Sequence, residues 1–112
     1  MPERIYKAYL GDILVCCNKI TLYITGMSFD DFFSDEKSYD AVLRNLEIIG
    51  EAVKHIPSYI RKMNNDIEWR KIAGLRNILI HDYLGIDENV IWDLVQNKIP
   101  DLQNKIDRII NL

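Results

Sequence analysis

The chain has 112 residues, 48% of them hydrophobic and 28% charged, with five Gly and three Pro. That is enough for one buried core and too little for two domains, and it is the wrong composition for a disordered or low-complexity polypeptide. A formal charge of −3 excludes broad nonspecific DNA binding, which rests on many Lys and Arg contacts to phosphate, so any contact with nucleic acid must use a local basic patch.

A single domain over 1–112 is therefore expected. Cys16 and Cys17 are adjacent and cannot form a useful structural crosslink with each other, which fits a reducing compartment. No apolar stretch approaches transmembrane length, and the opening MPERIYKAYL lacks the apolar core of a signal peptide. The expectation is a cytoplasmic protein that needs neither membrane nor DNA.

In chain order, Ile5, Tyr9, Ile13, Cys16, Ile20 and Tyr23 recur at helical spacing, which predicts an amphipathic helix from about Arg4 to Ile24, with Gly26 as its stop. Ser28 with Asp31 reads as a capping box opening a short helical turn, whose Phe29, Phe32 and Phe33 are expected to pack as a lid. A second long helix should run from Asp35 to His55, with Tyr39, Val42, Leu46, Ile49, Val53 and Ile56 facing inward and Pro57 marking its end. His55 then sits in the last turn, where a cationic imidazole suits the helix dipole. The acidic group Asp30, Asp31, Asp35 and Glu36 can be read as metal ligands, but carboxylates also favour helix starts, and no cofactor is expected.

Asn65 with Glu68 suggests another capping box, starting a helix through Trp69, Ile72, Leu75 and Leu79 toward His81 or Tyr83. Asp87 should open a fourth helix with Val90, Ile91, Leu94 and Val95. Pro100 is expected to break or kink it before a last segment with Leu102, Ile106, Ile109 and Ile110. No convincing strand alternation appears. The fold class is all-α, an antiparallel helical bundle.

On a helical wheel Arg70, Gly74, Asn77 and His81 fall near one line, a polar and sterically open stripe, while Ile72, Leu75, Leu79 and Tyr83 occupy the opposite side. Arg76 projects toward the edge of that apolar arc. A guanidinium there must pair with an acid, line a cleft or meet an anion from outside. Taken singly, Arg76 can be a structural ion pair and His81 a helix-end histidine bonded to a carbonyl. Their occurrence together with Asn77 and Tyr83 in one short segment favours a site. On an unbroken helix Arg76 and His81 stand more than a quarter turn apart. Either the helix loosens before His81, the arginine reaches across, or the two residues meet through a dimer.

The segment from Trp69 to Tyr83, WRKIAGLRNILIHDY, resembles the signature of HepT-like toxins of the HEPN class, whose motif is Arg, four residues, His, one residue, Tyr. Arg76, His81 and Tyr83 match it position by position. The stretch RNLEIIGEA from Arg44 to Ala52 resembles the family's other well-marked helix, and Gly26 through Asp35 its connecting segment, so the similarity covers nearly the whole chain. The resemblance implies a HEPN-like bundle that forms a homodimer with a shared cleft. It implies a metal-independent endoribonuclease, the toxin of a type VII-like toxin–antitoxin pair, silenced when a minimal nucleotidyltransferase antitoxin adds AMP to Tyr83.

The residues agree chemically with RNA cleavage. Attack of a 2′-hydroxyl on its own phosphodiester needs a base, an acid and positive charge on the phosphorane. His81 can be base or acid near neutral pH, Arg76 can clamp phosphate oxygens, and Asn77 and Arg70 are assigned to substrate positioning. Since the chain holds two histidines and His55 has a structural explanation, a twofold dimer would supply base and acid as two copies of His81. Two other readings stand beside this one: a non-catalytic HEPN module that docks a nucleotidyltransferase or binds nucleotide, and a plain helical adaptor.

Overall fold

The computed structural model describes residues 3–75 and 87–111. Among them the regular structure is entirely helical: α1 (Glu3–Ile24), α2 (Phe29–Ser34), α3 (Glu36–Val53), α4 (Ser58–Met63), α5 (Trp69–Ala73), α6 (Glu88–Asp93), a π-helical turn (Leu94–Lys98) and α7 (Ile99–Ile110). None of these helices is long and apolar enough to cross a membrane.

Helix α1 buries Tyr6, Leu10, Ile13, Cys16, Cys17 and Ile20. The inward face is thus centred slightly off the expected one: Ile5 is 41% exposed, and Tyr6, Leu10 and Cys17 take the interior. The reason is that α1 meets both α3 and α7, so its apolar arc must be broad enough to serve two neighbours. Burial pushes the Cys17 thiol up to about 12, which makes it a core side chain and not a nucleophile. The helix stops at Thr25 and Gly26, whose φ of +79° is open to glycine at little steric cost.

The anticipated capping box is present. The Asp31 backbone N–H donates to Ser28 Oγ at 3.1 Å, and the Ser28 N–H donates to the Asp31 carboxylate at 3.0 Å. Hydrogen bonding from Ser28, its backbone N–H first and its hydroxyl second, holds the Asp31 carboxyl below the usual carboxylate range. Of the three phenylalanines of α2, expected as a lid, Phe32 is a core residue, Phe33 packs against the core and Phe29 is half-buried. Phe32 is fully buried, and Phe29, Phe32 and Phe33 gather around Trp92 of α6 with ring centroids 5.5–6.4 Å away.

Asp35 caps α3 through Ser38, and the helix ends at Val53, slightly short of the expected His55. Val42, Leu46, Ile49 and Val53 line its inner face together with a polar residue, Asn45. Asn45 is tolerated there because its amide donates to the Ala41 carbonyl at 2.8 Å. Helix α4, not anticipated from the sequence, follows Pro57, which supplies the fixed φ of a helix start.

The expected Asn65–Glu68 capping box does not form. The chain turns through Asn64 to Ile67 instead, Glu68 itself stands at the N-cap of α5 without a side-chain cap bond, and its carboxylate pairs with Lys71 at 2.9 Å. Asp87 caps α6 by accepting from the Asn89 N–H at 2.8 Å. Pro100 does not break the helical path that follows. It lies in the first turn of α7 directly after the π-helical turn, where its missing N–H costs least and the wider turn takes up the misfit.

The core is built by α1 packing on α3 and α7, with α5 packed on α3 and α2 on the same helix. Tyr9 of α1 stacks on His55 just past α3, while Thr21 and Asn18 bond Gln103 of α7. Leu46, fully buried, lies at the centre of this arrangement. Leu46→Ala is expected to lower unfolding free energy by about 2–5 kcal/mol, read as a lower urea midpoint at unchanged m-value. A loss under about 1 kcal/mol would show that the α1–α3 interface collapses around the gap.

Candidate active site

Residues Arg76, Asn77, His81 and Tyr83 lie outside the described residues, as does the expected continuation of the helix through Leu79. Arg70 is described: it is exposed, on the last turn of α5. The surroundings that α5 brings to the start of that segment, and that α6 brings to its end, can be built residue by residue.

The turn between α4 and α5 is fixed from several directions. The Trp69 indole N–H donates to the Asn64 carbonyl at 3.0 Å, and the Asn64 amide donates to the Ile60 carbonyl at 2.9 Å. The Trp69 ring is buried, so α5 is pinned at its first residue. On the other side Arg108 of α7 meets the Asp66 carboxylate at 2.7 Å, and Lys105 donates to the Asp66 carbonyl at 3.0 Å. Each exposed contact is weak alone, but together they set the orientation of a short helix that could not persist by itself.

On the outer side of this turn runs an open groove of about 580 Å³, lined by Arg61, Lys62, Arg70 and Lys71 with Asn65 and Trp69. Glu68 is the one carboxylate lining it, and it is held by Lys71. That contact keeps the Glu68 carboxyl below its usual range. Among the described residues Arg61, Lys62 and Arg70 have no ion-pair partner. In a chain of net charge −3 this is the local basic patch that phosphate binding would require. Of these cations, only Arg70 is expected from the sequence to meet substrate. The dibasic pairs Arg61-Lys62 and Arg70-Lys71 were the available signal, and what hid their convergence was the unanticipated α4.

On its other side α5 faces a cleft of about 310 Å³ toward α6 and α7, lined by Ile67, Ile72 and Leu94 together with Asp93 and Lys98. Leu75, the last described residue before the motif, and Val90 of α6 also line it. A third depression, about 350 Å³, holds His55. The His55 ring stacks on Tyr9 at 4.5 Å with planes 9° apart, beside Arg44 and Asp12. The histidine's place past Val53 thus comes with a packing role that the sequence did not disclose.

Among the described residues no group of three or more His, Cys, Asp or Glu side chains is arranged to hold a metal ion. Within the acidic group 30–36, Asp31 and Asp35 act as caps.

The profile of the family described as Ribonuclease HepT-like matches residues 13–109. The chain is 42% identical to a protein of Methanocaldococcus jannaschii named "Putative RNase", over 98% of this chain and 91% of that one. It is 40% identical to the "Probable ribonuclease HepT" of Thermococcus cleftensis, over 96% and 97%. Against a "Putative RNase" of Caldanaerobacter subterraneus the identity is 38%, over 93% of both chains. No solved structure matches. The helical architecture and these likenesses define a ribonuclease-class domain. The chain belongs to the HepT-like ribonuclease family.

The Asp66 contact gives a pH signature. Hydrogen bonding from Arg108 holds this carboxyl below its ordinary value. A depressed folded pKa contributes stability that is present above the unfolded carboxylate range, near pH ~4, and is lost as pH falls through the lower folded value. Thermal melts of wild type and Asp66→Asn should therefore differ near neutrality and converge in acid. A constant offset at every pH would show that the pair contributes no proton-linked stability.

Proposed function

We propose that this chain is a metal-independent endoribonuclease, the toxin of a type VII-like toxin–antitoxin pair, cutting RNA with Arg76 and His81. The observation that carries the reading is the Arg-x4-His-x-Tyr motif at 76–83, complete and inside the stretch matched by the ribonuclease family. The exposed Arg70 on α5, just before that motif, supports a phosphate-facing approach to it.

In this mechanism the substrate's own 2′-oxygen is the nucleophile. One His81 imidazole takes the 2′-hydroxyl proton as the oxygen attacks phosphorus. Arg76 offers two N–H donors to the non-bridging oxygens, where negative charge gathers in the phosphorane. The P–O5′ bond then breaks, a protonated imidazole returns a proton to the 5′-oxygen, and the products are a 2′,3′-cyclic phosphate and a 5′-hydroxyl. Asn77 and Arg70 position the strand. Stacking of His55 on Tyr9 supports assigning it to packing, so the second imidazole is drawn from His81 of a second copy across a twofold cleft. Neither proton transfer calls for a metal.

Tyr83 is the regulatory residue in this reading. A partner nucleotidyltransferase transfers AMP from ATP to the phenolic oxygen, releasing pyrophosphate. The attached phosphodiester then places bulk and negative charge where RNA phosphate must sit. Arg76 can pair with it in place of substrate.

His81→Ala and Arg76→Ala are each expected to lower RNA cleavage by at least about 100-fold, the usual scale for losing a general acid–base or a charge clamp, with the helical circular-dichroism signal unchanged. Unaltered rates in both variants would contradict the assignment, and absence of cleavage by fresh, unmodified wild type would favour a docking module without catalysis. Chelation with EDTA should leave the wild-type rate as it is, and loss rescued by a divalent ion would overturn the metal-free scheme. Co-expression with the partner should add AMP mass to the Tyr83 peptide and silence cleavage, while Tyr83→Phe should stay active. Equal neutralisation of Tyr83→Phe would mean inhibition by docking alone.

A further inference from the structure

We propose that the groove between α4 and α5 binds the sugar–phosphate backbone of the RNA flanking the cleavage point, an inference that rests on the ribonuclease reading above. Arg61 and Lys62 come from the last turn of α4, and Arg70 and Lys71 from that of α5. Four cations and one carboxylate thus line a trough of about 580 Å³. The bland explanation is that each pair favours the negative end of its own helix. That accounts for a cation on each last turn. It does not account for both pairs lining one trough, in a protein with more acids than bases overall.

The geometry favours a polyanion. The groove's one carboxylate, Glu68, is already engaged by Lys71, so Arg61, Lys62 and Arg70 face it without a competing acid among its lining residues. The surface of the groove is largely apolar, from Ile67, Trp69 and the aliphatic stems of the long side chains, with Ser58 and Asn65 as its neutral polar residues, so the charged heads are what a phosphate backbone would meet. The Trp69–Asn64 contact joins α5 to the end of α4, and Arg108–Asp66 ties the turn between them to α7, so little ordering cost remains for the backbone when a strand binds. Arg61 and Lys62 stand before Arg70 in the chain and belong to a separate helix, so they are not residues of the motif. Phosphate contacts of this kind position a strand without reading its sequence.

The test measures binding without chemistry. A fluorescent single-stranded 2′-O-methyl RNA, about twelve nucleotides long to span a typical single-strand site, cannot supply the attacking hydroxyl. Fluorescence anisotropy of the full chain is followed across a salt series for wild type, for Arg61→Gln/Lys62→Gln, and for Lys7→Gln/Lys19→Gln, which removes the same charge from exposed positions on α1. The groove variant should bind about tenfold more weakly at low salt, with the log–log salt slope smaller by about 1.4, and the α1 variant should lie within about twofold of wild type. Circular dichroism checks that both fold. Equal weakening in both variants, or in neither, would overturn the groove assignment, as would poly-glutamate competing as well as RNA of equal charge, which would mark an acidic-protein dock. Cleavage of unmodified RNA by wild type is assayed in parallel. If wild type cleaves while the groove variant binds normally, only this inference fails. If the groove variant loses binding as expected while wild type cleaves nothing, the groove stands and the nuclease reading falls.

Discussion

The buried face of α1 carries the architecture. Leu10, Ile13, Cys17 and Ile20 have essentially no exposure, and the two long helical neighbours, α3 and α7, both lie against that helix. Each large aliphatic side chain enclosed there contributes on the order of 1.5–3 kcal/mol relative to exposure. Short helices such as α4 and α5 have no comparable resource of their own. They are placed by what the α1 core supports: α5 packs on α3, and the α4–α5 turn is tied to α7 through Asp66.

A division of labour follows along the chain. Apolar burial fixes the three long helices, while the surface that bears charge is set by local polar contacts. Trp69 joins the two regimes, its ring buried with the core and its N–H spent on the Asn64 carbonyl. Electrostatics then act at close range. Although the chain is acidic overall, the outer side of the α4–α5 turn is cationic. At physiological salt, screening over about 8 Å lets such a patch act on phosphate largely independently of distant carboxylates.

The long helices were legible in the sequence because their apolar residues repeat at helical spacing over many turns, as at Val42, Leu46, Ile49 and Val53. Caps with a specific side-chain partner were equally legible, Ser28 with Asp31 and Asp87 being the examples. The exact inward face of α1 was not, since contact with two neighbours turns the helix to bury Tyr6 and expose Ile5. Short elements escaped for a different reason. Helix α4 is too brief to show a period, and the Asn65–Glu68 spacing mimics a capping box although Glu68 has a lysine partner nearby. The basic groove was hidden with α4, because two dibasic pairs become one surface only after the turn between them is known. The assignment of Arg76, His81 and Tyr83 rests on family resemblance and on the chemistry of Arg, His and Tyr together, and these residues lie outside the described ones. The family profile covers their positions.

In the proposed mechanism the substrate's own 2′-oxygen is the nucleophile, and the chemistry of the product ends reports that directly. Freshly purified, unmodified protein is incubated with a defined single-stranded RNA in the absence of added metal, and the fragments are analysed by mass spectrometry. Fragments ending in 2′,3′-cyclic phosphate with matching 5′-hydroxyl ends are the predicted result. Fragments with 3′-hydroxyl and 5′-phosphate ends, which require an external water as nucleophile, would contradict it.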